Sequence, residues 1–438
     1  MNILEIISKK RDKHELSSGE INWFVKEYTN GAVADYQASA LLMAIYLNGM
    51  SRRETIDLTM AIMHSGEQLD LHDTLDFVID KHSSGGVGDK TSLVVLPLVA
   101  ACGVPAAKLS GRGLGYSGGT LDKMESIPGW TPNLSIDQIK AQVADIGLVL
   151  AGQTASLAPA DGKLYALRDV TSTVGCLPLI ASSIMSKKLA AGGDGIVLDV
   201  KIGSGAFVKT VEEGRLLAET MVNIGHDAGR NTVAVLSDMN QPLGNAAGNS
   251  LEVAEAIRTL RNDRSSPDDF WEHCLKIGSY MLYLAGRAET LEACEARLIE
   301  ARDSGDGIEK FRQMVTAQGG SGDIIDNLDR LPQANFIADV TATSTGYIKQ
   351  IDTENLGWAV VNLGGGRRQK TDSINPAVGF VMPVKVGDFV VKGQVLATIH
   401  ADNVGGFNQA KQLILSSIQI VGEKVDKLPL FYGVVNSS

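Results

Sequence analysis

Two glycine-rich loops of similar build, lying about 30 residues apart, constrain this chain more than any other feature. The first runs Lys81-His82-Ser83-Ser84-Gly85-Gly86-Val87-Gly88-Asp89-Lys90-Thr91-Ser92, and the second Lys108-Leu109-Ser110-Gly111-Arg112-Gly113-Leu114-Gly115-Tyr116-Ser117-Gly118-Gly119-Thr120. Each follows a short strand-like run, at Phe77–Ile79 and Val104–Ala107, and leads into a helical pattern. Bare backbone N–H groups, hydroxyls and a helix N-terminus converging on one crevice suit an oxyanion. Such loops also occur as plain turns. The pairing favours the anion site: both carry hydroxyls (Ser83 and Ser92; Ser110 and Thr120) and a lysine (Lys81; Lys108). The first loop falls short of the nucleotide-binding pattern G-x-x-x-x-G-K-[ST], because Asp89 stands where its second glycine belongs and would repel a triphosphate.

The surrounding pattern sets the fold. Residues 1–65 read as helices throughout, with start signals at Leu16-Ser-Ser-Gly-Glu20 and the capping box Ser51-Arg-Arg-Glu54. From about 70 onward, strands alternate with helices: Thr91–Ala101, Thr120–Glu125 and Val211–His226 are helical, and Gly147–Ala151, Gly195–Lys201 and Thr232–Ser237 are extended. This predicts an α/β domain with a mainly parallel sheet and ligands at the carboxyl ends of its strands. Helical segments at 163–169 and 178–192 interrupt the alternation. The expected division is therefore 1–65 plus about 160–192 as a helical domain, 66–159 plus 193–330 as the larger α/β domain, and 335–438 as a C-terminal α+β region with β hairpins. Strand character there is expected at Gly346–Lys349, Trp358–Gly366, Val378–Met382 and Gly387–His400. The Gly387–Gln394 stretch resembles the hairpins of biotinyl and lipoyl carriers, but Met382-Pro-Val-Lys385 stands where a carrier needs a modifiable lysine in a tight turn, so a structural β unit is the expectation.

The 438 residues suffice for two or three domains with a substantial core, and 44% hydrophobic with 21% charged residues is ordinary for a globular protein. A net charge of −11 and few aromatics argue against a nucleic-acid or anionic-membrane surface. The four scattered cysteines contain no C-x-x-C pair and read as buried thiols in a reducing compartment. Acidic and basic residues inside the first apolar run suit a helix start rather than a signal peptide. A cytoplasmic enzyme without a membrane partner is expected.

Beyond the loops, Ser183 and Lys187 lie four apart on one helical face, and Arg168 follows Tyr165 by three. A solvated charged face explains that spacing, and so does a clamp of two cations and a hydroxyl on an electron-rich planar group. His82, inside an anion loop, is either structural or placed for acid work and substrate contact.

Together these residues resemble the thymidine and pyrimidine nucleoside phosphorylases. The likeness lies in Lys81-His-Ser-x-Gly-Gly-Val-Gly-Asp89, Lys108-x-Ser-Gly-Arg-Gly-Leu-Gly-x-Ser-Gly-Gly-Thr-x-Asp-Lys-x-Glu125, Tyr165-Ala-Leu-Arg-Asp169 and Ile180-Ala-Ser-Ser-Ile-Met-Ser-Lys-Lys188. It implies a homodimer acting in nucleoside salvage, with phosphate held by Lys81, Ser83, Ser92, Lys108, Ser110 and Thr120, and the pyrimidine by Tyr165, Arg168, Ser183 and Lys187. His82, Arg168 and Lys187 would be catalytic. The implied reaction is reversible phosphorolysis of uridine, thymidine and deoxyuridine, with no organic cofactor. Lys108, usually methionine in thymidine-specific relatives, and Ala181–Ser186 favour the broader pyrimidine enzyme over a thymidine phosphorylase restricted to deoxynucleosides. An anthranilate-type phosphoribosyltransferase is the more distant rival; it usually carries Gly-Thr-Gly-Gly-Asp in place of Ser83–Asp89. Two departures are visible. Tyr116-Ser117 replaces the more usual His-Thr. In broad-specificity relatives a potassium-type ion is bound at positions matching Gly88, Lys90, Leu243, Ala246 and Glu255, and position 90 is usually threonine. An ammonium there is able to replace the ion beside Glu255, and little dependence on potassium is then expected.

Overall fold

The computed structural model describes residues 1–436 except Leu114, Ala155 and Lys370; Leu114, part of the second glycine loop, lies outside the described residues. The chain opens with four helices, α1 (Ile3–Arg11), α2 (Ser18–Thr29), α3 (Asp35–Asn48) and α4 (Arg52–Met63). Their starts are chemically fixed. The Asn2 side chain accepts from the Leu4 N–H, and Ser17 and Ser51 close capping boxes with Glu20 and Glu54. Glu54 also accepts from the buried Lys10 ammonium at 2.8 Å and from the Leu16 N–H at 2.8 Å, so one carboxylate pins the end of α1 to the start of α4.

Alternation then begins: β1 (Ile79–Ser83), α5 (Thr91–Ala101), β2 (Ala106–Ser110), α6 (Thr120–Met124), α7 (Ile136–Ile146) and β3 (Leu148–Gly152). The chain leaves the sheet for α8 (Pro159–Val170) and α9 (Leu177–Ala190), which pack on α2 and α4, and returns as β4 (Gly195–Ile202), α10 (Val211–Asp227) and β5 (Asn231–Asp238). Strands β5-β4-β1-β2-β3 are parallel neighbours in that order. Strand β4 is buried at every position, as a parallel strand covered on both faces must be. One face packs on α10 and the helical unit; α5 and, after β6 (Ala246–Ala247), helices α11 (Asn249–Leu260), α12 (Asp268–Leu284), α13 (Leu291–Asp303) and α14 (Asp306–Ala317) cover the other.

The C-terminal unit comprises β7 (Phe336–Thr341), β8 (Gly346–Ile351), α15 (Thr353–Asn362), β9 (Gly379–Val381), β10 (Phe389–Val390), β11 (Val395–Ala401), α16 (Val404–Ser417) and β12 (Ile418–Val421). It forms two antiparallel sheets, β10-β8-β12 and β6-β9-β11-β7, around its own apolar core, and borrows β6 from the α/β domain. No helix among the described residues is long and apolar enough to cross a membrane.

Three details differ from the sequence expectation. None of Trp358–Gly366 is strand: Trp358–Asn362 is the second half of helix α15, whose start Asp352 caps by accepting from the Asn355 N–H and whose Leu356 and Ala359 are buried, and Leu363–Gly366 is the turn that follows. The adjacent valines 360 and 361 imitate a strand locally, and the cap decides. Next, a final strand, β13 (Phe431–Asn436), leaves the C-terminal unit and pairs antiparallel with β5, completing the large sheet as its sixth strand. Finally, β1 and β2 begin about two residues later than the apolar runs suggest, so Lys81–Ser83 and Lys108–Ser110 sit on the strands themselves.

Candidate active site

Two cavities abut at the carboxyl ends of β1 and β2. The first, about 220 Å³, is walled by Tyr165 and Arg168 of α8, by Ile180, Ser183, Ile184 and Lys187 of α9, by His82 and by Phe207. The second, about 260 Å³, is lined by Ser83, Ser92, Lys108, Ser110 and Thr120, by Asp89 and Lys188, and again by His82, Ile184 and Lys187. His82, Ser83, Ile184 and Lys187 form the shared wall. The helical excursion supplies one side of this cleft and the glycine loops the other. Residues far apart in sequence thereby face a single space.

The first cavity is apolar with fixed cations. The Arg168 guanidinium is buried and donates to the carbonyls of Val174 at 2.7 Å and Leu179 at 3.0 Å, which hold the fork in one orientation. The Tyr165 ring lies 6.0 Å from it. Lys187 Nζ donates to Asp161 Oδ2 at 2.6 Å and to Ser183 Oγ at 3.3 Å, which holds the lysine and the hydroxyl together on one wall of the cavity. Pro159 and Pro178, each in the first turn, start α8 and α9, the two helices that carry these side chains.

The second cavity gathers hydroxyls over a floor of buried ammonium groups. Lys188 Nζ is tied to Asp80 Oδ2 at 2.8 Å, and Lys108 Nζ donates to the Lys81 carbonyl. Burial, reinforced by Lys188, pushes Lys108 down to about 7. Ser83 Oγ donates to Asp89 Oδ2. Burial alone would raise the Asp89 carboxyl; Lys81, Lys201 and Lys123 overcome it and hold the group well below the usual carboxylate range. His82 is pushed well below its ordinary value, first by burial and then by Lys188, Lys108, Lys187 and Lys81, so its imidazole is neutral. Its Nε2 is buried without a hydrogen-bond partner among the described residues.

Lys81 is the one expected phosphate residue absent from the cavity wall. Its side chain is fully buried beneath the floor, and Nζ lies 3.4 Å from Asp199 Oδ2 and 3.9 Å from Asp89 Oδ1 with no hydrogen bond among the described residues. Asp199 is in turn held by Ser237 Oγ at 2.6 Å, Lys201 Nζ at 2.9 Å and His273 Nε2 at 2.9 Å. Asp161, Asp199, Lys201 and His273 were not among the sequence candidates. Two charges in Asp199-Val-Lys201, on an otherwise apolar strand, were the available signal, since buried charges persist only when paired.

Of the five residues expected around a monovalent ion, four converge on the fifth, Lys90. Its fully buried ammonium lies 3.0 Å from the Gly88 carbonyl, 2.8 Å from that of Leu243, 3.2 Å from that of Ala246 and 2.5 Å from Glu255 Oε2. A separate ion would have to occupy the volume of that nitrogen, so the residues present do not fit one.

Comparison with known proteins gives the family. Residues 4–66 match the family model described as glycosyl transferase family, helical bundle domain; 75–308 match glycosyl transferase family, a/b domain; and 347–421 match pyrimidine nucleoside phosphorylase C-terminal domain. The chain is 48% identical over 436 residues to the pyrimidine-nucleoside phosphorylase of Geobacillus stearothermophilus, covering 100% of both chains. It is 50% identical over 425 residues to that of Staphylococcus aureus strain bovine RF122, covering 97% of this chain and 98% of the relative. The chain belongs to the pyrimidine-nucleoside phosphorylase family. It is therefore an enzyme of the glycosyltransferase type. A solved anthranilate phosphoribosyltransferase from Thermus thermophilus superposes with a TM-score of 0.59 at 18% identity, covering 72% of this chain and 99% of that one, a likeness of fold alone. The helical excursion lies inside the 75–308 match.

Proposed function

We propose that this enzyme cleaves uridine, thymidine and 2′-deoxyuridine with inorganic phosphate, reversibly, giving the free base and (deoxy)ribose 1-phosphate for nucleoside salvage. The observation that carries this reading is the pair of abutting cavities with a common wall at His82 and Lys187. A largely apolar space walled by Arg168 and Lys187 lies next to a hydroxyl-lined one, as a displacement between a base and an oxyanion requires. Ser83, Ser92, Lys108, Ser110 and Thr120 bind phosphate, with the Lys81 charge acting from beneath the floor. Tyr165, Arg168, Ser183 and Lys187 hold the pyrimidine. An oxygen of hydrogen phosphate attacks the anomeric carbon opposite the base, the carbon–N1 bond breaks through an oxocarbenium-like state with inversion, its electron pair leaves on the base, and the base anion takes up the proton that the phosphate gives up. Arg168 and Lys187 stabilise the charge that develops on the pyrimidine. His82, on the wall common to both cavities, hydrogen-bonds the pyrimidine O2 through a ring N–H as the base departs.

Breadth toward ribose and deoxyribose is supported by Lys108 and by Ala181–Ser186, which match the broad-specificity pattern. A homodimer suits Tyr36, Tyr46 and Leu47 on α3 and Leu4 on α1, large apolar side chains left exposed on the helical unit. Four free thiols suit a cytoplasmic enzyme. The test is ultraviolet-monitored cleavage of the three nucleosides with and without phosphate. Phosphate-dependent release of uracil and thymine with the sugar 1-phosphate is expected. Cleavage of deoxynucleosides alone would narrow the enzyme to a thymidine phosphorylase, and no cleavage of any by the folded protein would overturn the reading.

A further inference from the structure

We propose that the Lys90 ammonium is a covalently tethered cation that permanently fills an oxygen cage, so that this enzyme needs no bound monovalent ion. Three backbone carbonyls and one carboxylate are the oxygen ligands a hard cation takes, and here they surround a nitrogen at 2.5–3.2 Å. The cage is built to be tight. Gly88, at φ +76°, brings its backbone so close that a Cβ there would meet the Leu243 carbonyl at 2.7 Å, and one on Gly244 would meet Lys90 Nζ at 2.8 Å. The Glu255 carboxylate is fixed by the N–H groups of Asn245 and Ala246, both at 3.1 Å.

A second lysine completes the arrangement from the other side. Lys385 Nζ donates to the carbonyls of Pro242 and Gly244, each at 2.7 Å, and pairs with Asp269 at 2.8 Å. Two ammonium groups from different units therefore take up alternate carbonyls of one short segment. This occupation also assigns the lysine of Met382-Pro-Val-Lys385 to packing rather than to an exposed carrier turn. The cage joins the first glycine loop to the segment that enters the C-terminal sheet through β6, and a tethered cation makes that junction independent of the ionic medium. A dissociable ion would instead stabilise the fold in proportion to the logarithm of its concentration.

The inference concerns a site of the proposed phosphorylase, but its readout is thermal and needs no substrate, so the two can fail separately. The exhaustively dialysed protein is melted in potassium chloride and in choline chloride at equal ionic strength, beside Lys90→Thr. The natural chain is expected to melt at the same temperature in both salts. Lys90→Thr is expected to melt on the order of 5 °C lower in choline and to regain part of the loss in potassium. A potassium-specific rise in the melting temperature of the natural chain would overturn the proposal, and so would a folded Lys90→Thr protein indifferent to potassium. If Lys90→Thr does not fold, the natural chain alone still decides.

Discussion

The two ends of the first glycine loop hold one buried lysine each, and they are opposites. At the strand end, Lys81 is fully enclosed, near two carboxylates, and without a hydrogen bond among the described residues. At the helix end, Lys90 is equally enclosed and has four oxygens within 3.2 Å. Burying an ammonium is costly unless its donors are used. Lys90 meets that condition and holds structure together. Lys81 does not: its donors lie unused beneath the floor of the hydroxyl-lined cavity, between Asp89 and Asp199. The same side chain, nine positions apart, is structural in one place and held in reserve in the other.

That contrast can be broken by experiment. Lys90→Met leaves Glu255 unpaired in the interior, and a loss of about 3–5 kcal/mol of stability is expected, read as a lower urea midpoint. Lys81→Met is expected to leave the urea midpoint closer to that of the parent while kcat/KM falls about 10²–10³-fold, the scale for losing one preorganised electrostatic contact. If the two variants exchange these signatures, the contrast is wrong. Lys108 sharpens it with pH. Pushed down to about 7 by burial, its ammonium is present below that pH and lost above it. The kcat/KM for phosphate should therefore fall as pH rises through about 7, and Lys108→Met should lower it roughly tenfold at acid pH while flattening that limb. The smallest effect is expected for Asp161→Asn, which weakens the anchor on Lys187: a several-fold rise in the nucleoside KM with kcat little changed, since substrate itself can reorder the lysine.

How much of this was legible depended on the range of the interaction. Capping boxes at Ser17 and Ser51 and the apolar helix Thr91–Ala101 are local signals, and they read correctly. Trp358–Asn362 misread because its decisive feature, the Asp352 cap, lies outside the apolar run. That Arg168, Ser183 and Lys187 share one cavity follows the motif reading, but the groups that fix them were not visible in the sequence. Asp161 reaches Lys187 across 26 positions, and His273 reaches Asp199 across 74. Only tertiary folding brings such partners together. Position 90 shows the reverse case, where a lysine in place of threonine was visible in the sequence and its geometric consequence was not.

The edge strand β13 has a consequence for biogenesis. Tyr432 donates to Asp238 Oδ1 at 2.6 Å and thereby fastens β13 beside β5, across 194 positions of the chain. During synthesis β5 emerges long before its neighbour, and the whole C-terminal unit must follow before that edge is covered. For that interval the nascent sheet offers a row of unpaired N–H and C=O groups to any other extended chain. The last strand thus acts as a seal, and yield on the ribosome or in refolding should depend on how quickly it is set.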